Sequence, residues 1–168
     1  MDSSHLPEWL SLSEVDDGRF FAGALFQRKF AAPPPDIGHH LVAIYRGADG
    51  RMQTAGYVHF MEFGDIILVG GGCTDGEVIR GMPEAHRDRI RELDGLLFHL
   101  LRYGFARFAD RCEAYFGHCG DARAEAVDLK AGFIKTGHEH LLVHWHREGQ
   151  HEVLRRALVA KALAIGAF

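Results

Sequence analysis

The stretch from Cys112 to Phe133, CEAYFGHCGDARAEAVDLKAGF, reads without interruption as a strand, a turn, a capped helix and a stop. Cys112 to Phe116 mixes aromatic and apolar residues at strand density, and Gly117, Gly120 and Asp121 punctuate it. Asp121 is placed to cap a helix, because its carboxylate can accept from backbone amides that the first turn leaves unpaired. Lys130 falls in the last turn, where a cation is favoured, and Gly132 supplies the left-handed stop.

Working outward, helical and strand periods alternate. Val15, Phe20, Phe21, Ala24, Leu25 and Phe30 recur at helical spacing within 13–31, and Pro33, Pro34 and Pro35 forbid continuation. His39 to Arg46, Met52 to Phe63 and Asp65 to Val69 read as three strands joined by two tight turns, an antiparallel meander. Pro83 opens an exposed helix running to Leu93. Asp94 caps a second helix whose Leu96, Leu97, Leu100, Leu101, Phe105 and Phe108 form a broad apolar face, so it lies across the sheet. Beyond the opening stretch, Ile134 to His146 reads as one strand and Gln150 to Ile165 as a final amphipathic helix. With no internal repeat and no low-complexity tail, residues 1–168 form a single α/β domain.

Composition narrows the function classes. The formal net charge is -4 and there is no long Lys/Arg run, which argues against nucleic acid or an anionic membrane as the main partner. Three cysteines without a C-x-x-C pair suggest neither a disulfide framework nor a cysteine-rich zinc module, and a cytoplasmic location is the simple expectation. The start, MDSSHLPEWL, carries acidic residues where a targeting peptide would be basic, and no segment approaches the ~20 apolar residues of a membrane span.

The order of helix, meander, helix, strand, helix and strand resembles the GNAT acyl-CoA N-acyltransferases over almost the whole chain. That family often shows N-x-x-A-x-x-L-Y-x-K-x-G-F on its late helix. Asp121, Ala124, Val127, Lys130, Gly132 and Phe133 stand at the matching places. The resemblance implies a mixed sheet with an antiparallel N-terminal meander, a central helix and a late β-α-β unit. It also implies acetyl-CoA or another acyl-CoA as donor and a small-molecule or peptide amine as acceptor. The pantetheine arm would lie beside Leu68 to Gly72, with Gly117 to Gly120 across a gap between splayed strands.

Two departures bear on the site. The family's Q/R-x-x-G-x-G/A phosphate string is missing, and about twenty residues separate Thr74 from Asp94 where it would stand. Val69, Gly70, Gly71, Gly72, Cys73 and Thr74 are the residues expected to replace it, with Arg91 and Gly95 at a helix start and His118 across the gap. A flexible turn is the competing reading of the glycines, and Asp94 opposes an anion. The second departure is the acid. Where the family has a tyrosine that protonates the leaving thiolate, the register places Asp128, which if exposed is ionised at neutral pH and a poor donor. Tyr115 is then the nearest substitute. Glu62 and His59 are the candidate bases for the amine, although they cannot both face one cleft if the strand stays regular, and backbone amides near Val69 to Cys73 are the candidate oxyanion donors.

Two other classes stay open. A GNAT-fold domain without coenzyme A chemistry would serve as a small-ligand binding or interaction module, with homodimerisation through the apolar C-terminal helix. Alternatively, His138, His140, His144 and His146 share one strand parity and would line a single face, with His118 or Cys119 nearby, as neutral imidazoles able to hold Zn²⁺.

Overall fold

The computed structural model describes residues 6–168, so the first five residues of the N-terminal stretch read above lie outside it. Seven strands form one mixed sheet in the order β1-β2-β3-β4-β5-β7-β6. The strands are β1 (Leu10–Val15), β2 (His39–Arg46), β3 (Met52–Phe63), β4 (Ile66–Thr74), β5 (Ala114–His118), β6 (Ile134–Lys135) and β7 (Leu141–His144). The helices are α1 (Gly18–Phe30), α2 (Gly76–Gly81), α3 (Glu84–Glu92), α4 (Leu96–Arg107), α5 (Ala122–Ala131) and α6 (Glu152–Ile165). All neighbouring strands are antiparallel except β4 and β5, whose parallel register runs from Ile66↔Ala114 to Val69↔Gly117. This is the expected α/β architecture, with the meander extended to four strands by β1.

Side-chain alternation sorts the sheet into two faces. On one, Leu41, Val58, Phe60, Ile67, Val69 and Tyr115 pack against Leu96, Leu100, Leu101 and Phe105 of α4 and against Ala131 and Phe133. Burial of each such side chain stabilises the fold by roughly 1.5–3 kcal/mol. Gly104 lets α4 approach closely, since a Cβ there would lie 2.2 Å from the Phe60 ring. On the other face α1 covers Val42, Tyr57 and Cys73 through Ala22, Leu25 and Phe26. The second half of that face belongs to α6, where Leu158 and Ala162 meet Ile66, Leu68, Ala114 and Phe116.

Local signals explain most boundaries. Asp17 caps α1 by accepting from Phe20 N at 2.8 Å, and Asp121 caps α5 by accepting from Arg123 N and Ala124 N. Four expectations are corrected. The first concerns the helical pattern from Ser13, which begins only at Gly18. Residues 10–15 (LSLSEV) alternate with period two and pair with β2 as an edge strand. Second, the glycine run Gly70–Gly72 belongs to β4, because the long β3 offers it a partner up to Gly56↔Thr74. Third, Asp94 does not cap α4. It sits at φ 70° and pairs with Lys130, while Gly95 is the N-cap residue and gives no side-chain bond. Finally, the strand expected over 134–146 is a short hairpin. Gly137 and His140, at φ 87° and 62°, turn the chain between β6 and β7.

That last correction dissolves the histidine face. His138 and His140 fall in the turn, and His144 and His146 point into the aromatic cluster around Phe105 and Tyr115. Among the described residues no group of three or more His, Cys, Asp or Glu comes together to hold a metal ion. No helix among them is long and apolar enough to cross a membrane.

A candidate acyl-donor cleft between splayed strands

The parallel pair stops at Val69↔Gly117, and beyond it β4 and the chain after β5 diverge. A cleft of about 690 Å³ opens between them, roofed by the N-terminus of α4 and by one side of α5. The opening is a consequence of residue size as well as register. Gly72 leaves little room for a side chain, since a Cβ would crowd Leu97 Cδ1 at 3.0 Å. Across the gap, one on Gly117 would lie 3.3 Å from the Phe133 ring. Gly71, at φ 60°, forms a bulge. Register passes from His59↔Gly70 to Tyr57↔Cys73, so Gly71 and Gly72 together oppose the single residue Val58.

Eight of the nine residues expected to hold a cofactor line this cleft: Val69, Gly70, Gly71, Gly72, Cys73, Thr74, Gly95 and His118. Arg91 does not. Its guanidinium faces away, donating to Asp88 Oδ1 at 2.6 Å and to its own helix at Arg87 O. The cations that do line the cleft are Lys29, at the end of α1, and Arg123, in the first turn of α5. Neither stood out in the sequence, because neither belongs to a motif and only the fold decides which way its helix faces.

The segment between Thr74 and Asp94 folds as α2 and α3 and does not fill the cleft. Asp75 anchors its start by capping α2 through Glu77 N and Val78 N, and by accepting from Arg28 at 2.5 Å. Trp9 stacks on His86 at 4.1 Å between ring centroids and Tyr45 Oη lies 3.2 Å from His86 Nδ1, which fastens α3 to the far edge of the sheet.

The candidate catalytic side chains are not brought together. Glu62 stands at the closed end of β3, opposite Ile67, where it pairs with Arg111 at 3.1 Å and with His39 Nε2 at 3.0 Å. Those hydrogen bonds, His39 first, hold its carboxyl below the usual range. Tyr115 is fully buried, and its hydroxyl donates to Phe105 O at 2.9 Å. Burial drives its phenol strongly upward, with the Cys112 thiol adding to the shift, so it has no path to the cleft. His59 does not line the cleft either; it lies beside Gly70, buried on the α1 face of the sheet. Its Nε2–H donates to Ile37 O at 2.6 Å, which leaves Nδ1 as the acceptor nitrogen. Burial lowers its pKa, so the ring is neutral at pH 7. It neighbours a second buried imidazole, His40, at 5.3 Å between ring centroids. His40 Nδ1 lies 2.8 Å from the Tyr57 hydroxyl.

Asp128 is the residue whose environment the sequence misjudged. It lines the cleft on α5 beside Cys119. Burial pushes its carboxyl up to about 6, a neighbouring Glu125 adds to the shift and the Cys119 thiol partly offsets it. Burial also raises the Cys119 thiol, and that of Cys73 to about 12, so neither is poised as a nucleophile.

The architecture has counterparts among solved structures. A ribosomal-protein-S5-alanine acetyltransferase from Vibrio fischeri superposes with a TM-score of 0.56 at 9% identity, covering 87% of this chain and 98% of that one. N-acetylglutamate synthase from Neisseria gonorrhoeae, complexed with coenzyme A and L-arginine, gives 0.52 at 12% identity over 83% of this chain. A chain from Pyrococcus horikoshii gives 0.52 at 9% identity over 80%. The present chain spans 34% of the synthase and 46% of the Pyrococcus protein. No protein-family model and no curated protein matches the sequence. At such low identities the likeness is one of architecture, and it settles that point: this chain has the GNAT fold.

Proposed function

We propose that the protein is an N-acyltransferase that moves an acyl group, acetyl in the simplest case, from acyl-CoA to the amine of a small molecule or peptide. The observation that carries this reading is the cleft between β4 and β5. It combines a backbone edge without a strand partner, glycines on both walls and an uncapped helix N-terminus at one end. These features fit a long, thin, amide-bearing ligand with an anionic head. The free edge of Gly70–Thr74 offers amides and carbonyls to such an arm. The first amides of α4 face an anion with the favourable end of the helix dipole, and Lys29 and Arg123 add positive charge. Asp94 would oppose that head, but Lys130 neutralises it.

When bound, acyl-CoA supplies a thioester whose carbonyl an amine can attack and whose thiolate can leave. The chain's own groups do the rest. Backbone amides at the Gly71 bulge would donate to the carbonyl oxygen as it gains charge. His59, neutral and oriented through Ile37 O, is the proposed acceptor of the amine proton, approached from the α1 face. Glu62 is committed to His39 and Arg111 and is not needed. The exposed Phe20 and Phe21 give an acceptor an apolar surface beside α1.

The deciding experiment is thermal unfolding with and without millimolar acetyl-CoA. A ligand at ~100 times its dissociation constant adds about 2.7 kcal/mol, a rise of several degrees at this size. Loss of that rise in a Lys29→Ala/Arg123→Ala variant would place the anionic head at the predicted end. No rise in the wild type favours the second reading, a GNAT-fold binding module, for which the α2–α3 insertion in place of a phosphate loop is the specific observation.

A further inference from the structure

The acyltransferase reading leaves the departing sulfur without an acid, because Tyr115 is sealed in the core. Lys29, Arg123 and the imidazole of His118 also line the cleft, but of its carboxyls and thiols most are committed elsewhere. Asp121 accepts from Arg123 N and Ala124 N at 2.9 and 2.8 Å as the cap of α5. Asp94 is paired with Lys130, and Cys73 is buried against α1. Asp128 is different. The two lysines nearest in sequence are engaged by other acids, Lys130 by Asp94 and Lys135 by Glu125 at 2.7 Å, and among the described residues no cation pairs with Asp128. The groups that act on it are Glu125 from its own helix and Cys119 from the turn after β5. A carboxyl that has lost part of its water, gained no cation and faces a like charge keeps its proton to higher pH than a solvated one. Here it is raised to about 6.

We infer that Asp128 is the proton donor of the cleft. As the amine nitrogen bonds the acyl carbon and the C–S bond breaks, the Asp128 O–H passes its proton to the departing sulfur. The carboxylate left behind is reprotonated from water, and the amine's surplus proton goes to His59, so charge and protons balance over one turnover. Cys119 is a positioning residue, a thiol whose Sγ donates to Asp121 O at 3.3 Å and holds the wall beside the Asp128 carboxyl. The inference rests on the acyltransferase reading and names the group that reading lacks.

The test has an arm that needs no turnover. Carboxyl carbon NMR on protein labelled at aspartate, with Asp128→Asn to assign the signal, follows the titration in the free protein and with coenzyme A bound. A midpoint near 6 that rises on coenzyme A binding supports the inference, and a midpoint near 4 overturns it whatever the enzyme does. In the kinetic arm the wild type loses kcat as pH rises through the titration of Asp128. Asp128→Asn lowers kcat by about 100-fold and flattens that limb, while Asp128→Glu restores part of it. Unchanged kcat and pH profile in Asp128→Asn, with coenzyme A stabilisation intact, overturns the inference and spares the acyltransferase reading. Absence of coenzyme A stabilisation in the wild type overturns both. Circular dichroism and an unaltered coenzyme A shift in Asp128→Asn separate a lost proton donor from a lost fold.

Discussion

The two ends of the β4–β5 pair do opposite things with the same backbone. At the closed end Ile66 to Val69 runs in register with Ala114 to Gly117, and large side chains fill both faces. At the open end Gly70, Gly71 and Gly72 carry no side chains, the bulge at Gly71 breaks register with β3, and the strands part. Cohesion therefore comes from the half whose residues demand burial, and an open cleft from the half whose residues do not. The contrast is testable because the two halves should respond differently to substitution.

The largest effect is expected at the closed end. Phe116 is fully buried between the sheet and α6, and Phe116→Ala should destabilise the protein by about 3–5 kcal/mol in urea unfolding. Any fall in coenzyme A affinity should be accounted for by the unfolded fraction. At the open end Gly72→Val should cost less, about 1–3 kcal/mol, because Leu97 has to give way. The same variant should abolish the thermal stabilisation by acetyl-CoA. If Gly72→Val costs as much as Phe116→Ala, or keeps the cofactor shift, the division of labour between the two ends is wrong.

The smallest effect sharpens the comparison through pH. Burial lowers the pKa of His40 and His59, which lie on the α1 face beside the open end. Above pH 6.5 both are neutral in the folded and unfolded chain and their contribution is complete. Below 6.5 the unfolded chain takes up protons that the folded protein refuses, so stability falls as pH drops. The melting temperature should decline by several degrees from pH 7 to pH 5, and less steeply in His40→Gln, whose amide can still meet the Tyr57 hydroxyl. An equal slope in wild type and variant would assign the acid sensitivity to other groups. Glu14 and Glu62 are one such pair, both held below the carboxylate range, and their contribution is lost at lower pH, beneath 4.5.

Much of this fold was legible in the chain because its signals are local. Asp121, Lys130 and Gly132 mark the ends of α5 through groups within one helical turn, and those ends stand where expected. Strand-forming runs separated by the Gly47–Gly50 turn fixed β2 and β3 to the residue. The cleft-lining stretch Val69 to Thr74 was legible because the glycine run stands where the GNAT resemblance puts the missing phosphate string, although a flexible turn was an equal reading of it. The hairpin at 134–144 was missed, since a two-residue edge strand has too few residues for a period to show. The site's chemistry was read less well than its walls. Glu62 and Tyr115 carry the right functional groups, but one is held by an ion-pair network and the other is sealed behind Phe105.

Sequence alone determined the order of most elements, the cap and stop of α5, the glycines that line the cleft and the likeness to the GNAT acyltransferases. Tertiary structure decided which way each side chain faces and how much water it keeps. It turned Lys29 and Arg123 toward the cleft and Arg91 away from it. It also half-buried Asp128 without giving it a cation, which raised a carboxyl that would be ionised if exposed. Helix caps and strand periods depend on neighbours in the chain, whereas protonation depends on burial and on charges brought close by folding.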